Sequence, residues 1–349
     1  MKIVHVLWGL GTGGIETMLA DITNEQCKVH DVYVITINDI KDCSVINRFD
    51  KRVKLLFCNR KVGSKNIIPI IKLNCCISRI HPDVLHLHNS YIAHIIFRRY
   101  PMVYTIHSTG LSIEDSKRFK ANCAISKAVQ QEWKSRGVDT VLVENGIEGS
   151  NVRIREAKLS NDESFHIIQV GRLRASFKGQ DILIKAIKVL DNRKSPIIPR
   201  LKVHIVGTGE DERNLKDLVK KLDLEEVFIF EGLKTRNWVY ENLCSYDLFV
   251  QPSRIEGFGL TVAEACAAEV PVLISDIDGP MEIINNGEFG RFFKCGDVES
   301  LANNIEDIII NGYSKDMILK ASKHIKENYD IKQTVAKYND IYHQSVAIF

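Results

Sequence analysis

Short apolar runs alternate with amphipathic stretches along almost the whole chain, in two successive series separated by a polar, strandless stretch at 148–163. Such alternation belongs to βαβ units, whose parallel strands are buried on both faces while each connecting helix buries one stripe. The first series predicts strands at 3–8, 32–37, 53–57, 84–87, 103–106, 121–125 and 141–143, with helices at 15–26, 67–80 and 127–136. The second predicts strands at 166–170, 202–206, 227–230, 248–250 and 272–274, with helices near 180–190, 211–222, 238–244 and 260–268. A chain of 349 residues can bury two such cores. The expectation is therefore α/β, two doubly wound Rossmann-like domains: 1–155, then 156–329, with the end of the helical tail, about 330–349, packing back on the first. Ligands of such sheets sit at the carboxyl ends of the strands, so the site is expected in a central cleft that the domains face.

The N-terminus, Met1-Lys2-Ile3-Val4-His5-Val6, reads as a buried strand and lacks the apolar core and cleavage site of a signal peptide. No run approaches the roughly 18 uninterrupted apolar residues of a membrane span; even 67–80 is broken by Pro69, Lys72, Asn74 and Arg79. A soluble or peripheral protein is expected. The nine cysteines are scattered without C-x-x-C pairs or zinc spacing and read as reduced thiols. Charge is uneven: 11 bases between Arg48 and Arg99 face only Asp50 and Asp83. Such a block attracts an anionic partner. With no nucleic-acid recognition motif, an anionic membrane surface is the partner expected, and nucleic acid is not.

The segment most informative about chemistry is Glu256-Gly257-Phe258-Gly259-Leu260-Thr261-Val262-Ala263-Glu264, which follows a strand and the turn Pro252-Ser253 and opens a helix. Its glycines allow close backbone approach, and the free N–H groups of a helix start favour a phosphate. Glu264 lies one turn into the helix, where side chains tilt toward the N-terminus, so it can address the same ligand as Glu256. Two carboxylates beside an anion-binding turn suit hydroxyl groups on either side of a diphosphate, although a helix start with favourable acidic residues has the same spacing. Arg172 and Lys178 flank the turn after the strand at 166–170, where fixed cations can stabilise a departing diphosphate.

Here the sequence resembles the retaining GT-B glycosyltransferases, particularly family 4, the nucleotide-sugar transferases. Their E-x7-E pattern matches Glu256 and Glu264. The likeness runs in order through Val170-Gly171-Arg172-Leu173, Lys178-Gly179-Gln180-Asp181, Val206-Gly207-Thr208-Gly209-Glu210, Gln251-Pro252-Ser253 and Asp278-Gly279-Pro280. The resemblance implies that Arg172 and Lys178 hold the diphosphate, Glu256 the sugar hydroxyls and Glu264 the ribose. Gly207 and the backbone of Phe258, Gly259 and Leu260 would complete the substrate contacts.

The first half matches more thinly. Gly11-Thr12-Gly13-Gly14 follows the first strand and is similar to the family's glycine loop, which places Gly13 and Gly14 near the donor. His107 ends the strand at 103–106 and stands where the family has a histidine beside the donor sugar; Asn145 precedes Gly146 in a turn that would shape the cleft. His86 and His88 close another strand, with packing or acceptor contact as their expected role. Gly9, Gly11 and Gly14 also fit G-x-G-x-x-G with Asp39 downstream, the mark of an NAD(P)-dependent oxidoreductase, and this rival leaves the second-half pattern unexplained. Asp276-Ile277-Asp278 imitates a metal-binding D-x-D where the family has a turn.

The resemblance implies a metal-independent, hexosyltransferase-type enzyme without cofactor, passing sugar from a nucleotide-diphosphate donor, UDP-linked by preference, to a glycan or lipid-linked acceptor. Capsule, lipopolysaccharide or another bacterial surface polysaccharide is the expected product. The expected location is the cytoplasm or, peripherally, the inner membrane face. A non-catalytic nucleotide-sugar-binding protein is the other alternative.

Overall fold

The computed structural model describes residues 1–155 and 164–349. They form two compact units, Met1–Gly146 with Asp330–Phe349, and Ile147–Tyr329.

The first unit runs β1 (Lys2–Leu7), α1 (Gly14–Gln26), β2 (Asp31–Asn38), α2 (Cys43–Ile46), β3 (Lys54–Arg60), α3 (Ile68–Ile80), β4 (Val84–Leu87), β5 (Met102–Ile106), β6 (Ala121–Ala124), α4 (Lys127–Ser135) and β7 (Val141–Leu142). Its sheet has the order β3-β2-β1-β4-β5-β6-β7, with every pairing parallel. The chain winds to one edge and then to the other, so the order reverses between β1 and β4. That switch point leaves a crevice beyond the strand ends.

The second unit follows with β8 (Phe165–Val170), α5 (Ala175–Lys178), α6 (Gln180–Asn192), β9 (Leu201–Val206), α7 (Glu212–Lys221), β10 (Phe228–Gly232), α8 (Arg236–Asn242) and β11 (Leu248–Gln251). It is completed by α9 (Leu260–Ala267), β12 (Val272–Ser275), α10 (Asp278–Ile283), β13 (Arg291–Phe293), α11 (Val298–Asn311) and α12 (Lys315–Asn328). The sheet order is β10-β9-β8-β11-β12-β13, again parallel throughout, and the reversal falls between β8 and β11. The three-residue edge strand β13 was not expected; at that length it carries no periodicity to read.

The tail ends in α13 (Ile331–Ala347), which packs within the first unit against α1, β4 and β5 and buries Val335, Tyr338, Ile341 and Tyr342. Gly146 sits where the chain returns: a Cβ there would lie 2.7 Å from the Ile331 backbone.

One expectation needs correction. The break falls at Gly146 rather than at 155, because Arg153 and Arg155 donate backbone hydrogen bonds to Tyr240 and Ala268 and the Arg155 guanidinium pairs with Asp247 at 2.6 Å. The rest of the expected linker, 156–163, lies outside the described residues. Helix α3 buries one stripe and leaves other apolar residues exposed. Pro69, Leu73, Ile77 and Ile80 are buried, whereas Ile67, Ile68 and Ile71 face solvent at its start.

Candidate functional site

Because β8 and β11 are neighbours, the loops that leave their carboxyl ends meet. The meeting is close. A Cβ on Gly179 would lie 1.8 Å from the Pro252 carbonyl oxygen, and one on Gly207 2.0 Å from that of Gly171; both residues have positive φ, at 65° and 135°. Side chains at either position would push the loops apart.

This approach brings Lys178 against Glu256, whose carboxylate accepts from the ammonium. A Cβ on Gly171 would lie 3.9 Å from the aliphatic stem of Lys178, which passes over this turn beside Arg172. Gln251, buried at the end of β11, donates to Glu256 Oε2 at 3.1 Å and accepts from Thr261 Oγ1 at 3.1 Å. Arg254 fixes the loop from the other side. It donates to both carboxylate oxygens of Asp181, at 2.7 and 2.9 Å, and to the Ala175 carbonyl at 2.7 Å. Burial works to raise the Asp181 pKa, but the Arg254 and Lys185 hydrogen bonds outweigh it and leave that pKa below its ordinary value.

Arg172 is exposed. Its Nε donates to Glu210 at 3.1 Å, and Arg174 takes the other oxygen of the same carboxylate at 3.1 Å. The pKa of Glu210 is lowered by its own backbone N–H and by the two guanidinium groups.

Gly259 caps α9 with φ at 101°, followed by Leu260 as the first helical residue; Phe258 is buried against Tyr329, ring centres 5.5 Å apart. Glu264, one turn on, is buried. It pairs with Arg236 of α8 at 2.8 Å, so its carboxylate is held by an internal cation at the base of the loop. Gly279, on α10, packs so closely under this loop that a Cβ would lie 2.8 Å from the Phe258 nitrogen. Asp276 Oδ1 accepts from the Cys295 backbone N–H at 2.6 Å, and Asp278 opens α10.

The second unit thus gathers Arg172, Lys178, Gly207, Glu256, Phe258, Gly259, Leu260 and Glu264 around one switch point. Gln251, Arg254, Asp181, Thr261 and Arg236 support them. Sequence reasoning missed Arg236 and Arg254, which belong to no quoted motif and act through partners distant in the chain, and gave Gln251, though it lies in the Gln251-Pro252-Ser253 motif, no role toward Glu256 and Thr261.

In the first unit, Gly13 caps α1 and Gly14 begins it. A Cβ on Gly13 would meet a Glu16 carboxylate oxygen at 2.5 Å. His107 follows β5, and burial lowers its pKa to about 4. Its Nε2 lies 3.1 Å from His88 Nδ1. Asn145 is buried, and its side-chain oxygen has no hydrogen-bond partner among the described residues.

Two doubly wound parallel sheets in one chain, with a cation, a carboxylate and a helix start at the switch point of the second, define a glycosyltransferase of the GT-B class. The model of the family "Glycosyl transferases group 1" matches residues 151–330, and that of "Glycosyltransferase Family 4" matches residues 12–150. The chain belongs to the group 1 glycosyltransferases. It is 27% identical over 364 residues to an uncharacterized glycosyltransferase of Haemophilus influenzae, covering 97% of this chain and 99% of that one. It is 24% identical over 225 residues to the lipopolysaccharide 1,6-galactosyltransferase of Salmonella typhimurium, covering 62% and 57%. Among solved structures, Anabaena Alr3699/HepE in complex with UDP and glucose superposes with a TM-score of 0.81 at 20% identity, over 97% of this chain and 98% of that one. This assignment overturns the oxidoreductase alternative.

Proposed function

We propose that the protein is a retaining, metal-independent hexosyltransferase, taking sugar from a UDP-sugar and passing it to a glycan or lipid-linked acceptor in the synthesis of a bacterial surface polysaccharide. The observation that carries this reading is the Lys178–Glu256 pair, held by Gln251 and Thr261 beside the start of α9, with Arg172 on the adjoining turn. In this reading Lys178, Arg172 and the backbone at Phe258, Gly259 and Leu260 take the diphosphate, with Gly207 allowing its approach. Glu256 accepts from sugar hydroxyls and Glu264 from the ribose; in the first unit, His107, Gly13, Gly14 and Asn145 are the residues that the family resemblance assigns to substrate. The C1–O bond to the β-phosphate breaks as the glycosidic bond forms on the same face, and a departing phosphate oxygen takes the acceptor hydroxyl proton. Relatives support the direction: HepE is described with UDP and with UDP-glucose, and the Salmonella relative is named for lipopolysaccharide.

A peripheral place on the inner face of the cell membrane belongs to the same proposal. Ile67 and Ile68, each 67% exposed, stand with exposed Val62 and Phe97. The Asn74 side chain ties α3 to this last segment through Ile95 and Phe97. Lys61, Lys65, Arg98 and Arg99 lie among these apolar residues, and none has a carboxylate partner among the described residues. Apolar tips with free cations suit an anionic lipid surface. No helix among the described residues is long and apolar enough to cross a membrane.

The deciding experiment is a screen of UDP-, GDP- and ADP-sugars, with NAD as control, for hydrolysis and thermal stabilisation. Stabilisation and turnover by a UDP-sugar is the expected result. Stabilisation without turnover would favour a non-catalytic nucleotide-sugar-binding protein, and a response to none of the sugars would refute the reading.

A further inference from the structure

Four histidines of the first unit form a single hydrogen-bonded row. His5, on β1, places Nδ1 3.1 Å from His88 Nε2; His88, just past β4, places Nδ1 3.1 Å from His107 Nε2. In the other direction His5 Nε2 lies 2.8 Å from Gln26 Oε1, on α1, and Gln26 Nε2 donates to the Tyr342 hydroxyl of α13 at 3.1 Å. Tyr342 then meets His86 Nδ1 at 2.6 Å, and His86 Nε2 meets Thr105 Oγ1 at 2.7 Å, itself 2.8 Å from the Tyr338 hydroxyl. Of the six ring nitrogens of His5, His86 and His88, one from each lies within 4.8 Å of the other two, a spacing that suggests an ion. All six nevertheless have hydrogen-bond partners in this row.

Burial holds these rings neutral: the pKa of His5 is lowered to about 4 by desolvation, against a smaller rise from Gln26, and those of His86 and His88 fall well below the ordinary range. A neutral imidazole has one donor and one acceptor, so each bond dictates the next. An amide oxygen can only accept, so His5 carries its proton on Nε2 and accepts at Nδ1. His88 must then donate from Nε2 and accept at Nδ1, which makes His107 donate from Nε2. The His107 Nδ1 is left with a lone pair and no partner among the described residues. Turning the Gln26 amide over would reverse every donor along the row and put the His107 proton on Nδ1. The choice therefore lies with one side chain and with Tyr342, which accepts from the amide nitrogen while its own proton is donated to His86 Nδ1.

We infer that Gln26 and Tyr342 are positioning residues for His107: through His5 and His88 they hold it as the Nε2–H tautomer, so that Nδ1 accepts a substrate hydroxyl. The inference rests on the place given to His107 in the proposed function.

The full-length protein, labelled with isotopic histidine, tests it at neutral pH by NMR correlations that report which ring nitrogen is protonated, with His107→Asn used to assign the signals. A single Nε2–H form of His107 is expected. A dominant Nδ1–H form, a mixture of both, or histidine signals that change after EDTA treatment would overturn the inference, the last because an ion would then bridge the rings. In Gln26→Leu the His107 signal should become a mixture, and hydrolysis of the sugar nucleotide selected by the screen should fall in kcat in proportion to the Nε2–H fraction lost, with KM nearly unchanged. An unchanged single tautomer in that variant would remove Gln26 from the role. If Gln26→Leu fails to fold, Tyr342→Phe, which frees the amide to turn, is read the same way. The tautomer is read without turnover, so an inactive protein with Nε2–H His107 would refute the transferase reading while leaving the lock standing.

Discussion

Arg236 and Glu264 meet inside the second unit, Nη2 to Oε1 at 2.8 Å, with side chains only 6% and 5% exposed. Removing one partner of such a pair strands the other charge away from water, at a cost of about 3 to 5 kcal/mol. Arg236→Met is therefore expected to lower the urea unfolding midpoint strongly. Glu264→Gln, which keeps an acceptor oxygen facing Arg236, should lower it less. Equal loss in both variants, or none in Arg236→Met, would show that the pair does not brace the loop.

Lys178→Ala should weaken sugar-nucleotide and free-nucleotide binding alike, by about tenfold, because a charge-assisted contact is worth about 1.5 to 3 kcal/mol. Glu256→Ala should weaken the sugar nucleotide more than the free nucleotide, since the sugar hydroxyls are its assigned partners. Calorimetric titration of both ligands decides it, and equal losses in Glu256→Ala would reassign that residue to the nucleotide.

The buried histidine row predicts a pH-dependent stability. The folded pKa values of His5 and His107 are depressed to about 4, below the ordinary 6.5. The unfolded chain then binds more protons, so their contribution is complete above pH 6.5 and is lost as pH falls toward 4. The groups facing them are His86, His88, Gln26, Tyr338 and Tyr342, none of them an anion. The denaturation midpoint should fall across this interval, and fall less in His5→Gln. Identical slopes in the two proteins would mean that other groups carry the effect.

Turnover should survive EDTA. Arg172, Lys178 and the start of α9 supply the positive charge needed by the diphosphate, and Asp276 is engaged by the Cys295 backbone at 2.6 Å. Activity abolished by chelation and restored by magnesium or manganese would identify Asp276 and Asp278 as ligands.

Co-sedimentation with vesicles containing phosphatidylglycerol should exceed that with neutral vesicles and decline at high salt, since the free cations beside Ile67 and Ile68 act through a screened field. Replacing both isoleucines with serine should reduce binding at low salt. Equal partitioning into both vesicle types would reject electrostatic docking and leave the transferase assignment untouched.

The sequence by itself determined the two βαβ series, the glycine turns and the family, because strand and helix periodicity and backbone permissiveness are local properties. Even so, it missed the short strand β13 and set the unit break too late, since that boundary depends on where Arg153 and Arg155 find partners. Only the tertiary structure decided that Lys178 lies on Glu256, because their meeting follows from the parallel pairing of β8 with β11, a contact between residues far apart in the chain. The same holds for Arg254 on Asp181 and Arg236 on Glu264, charges outside the quoted motifs whose roles appear once their partners are in place. The histidine row is the extreme case. Its members come from β1, β4, β5, α1 and the last helix of the chain, and only burial together turns separate imidazoles, an amide and hydroxyls into one directed chain of hydrogen bonds.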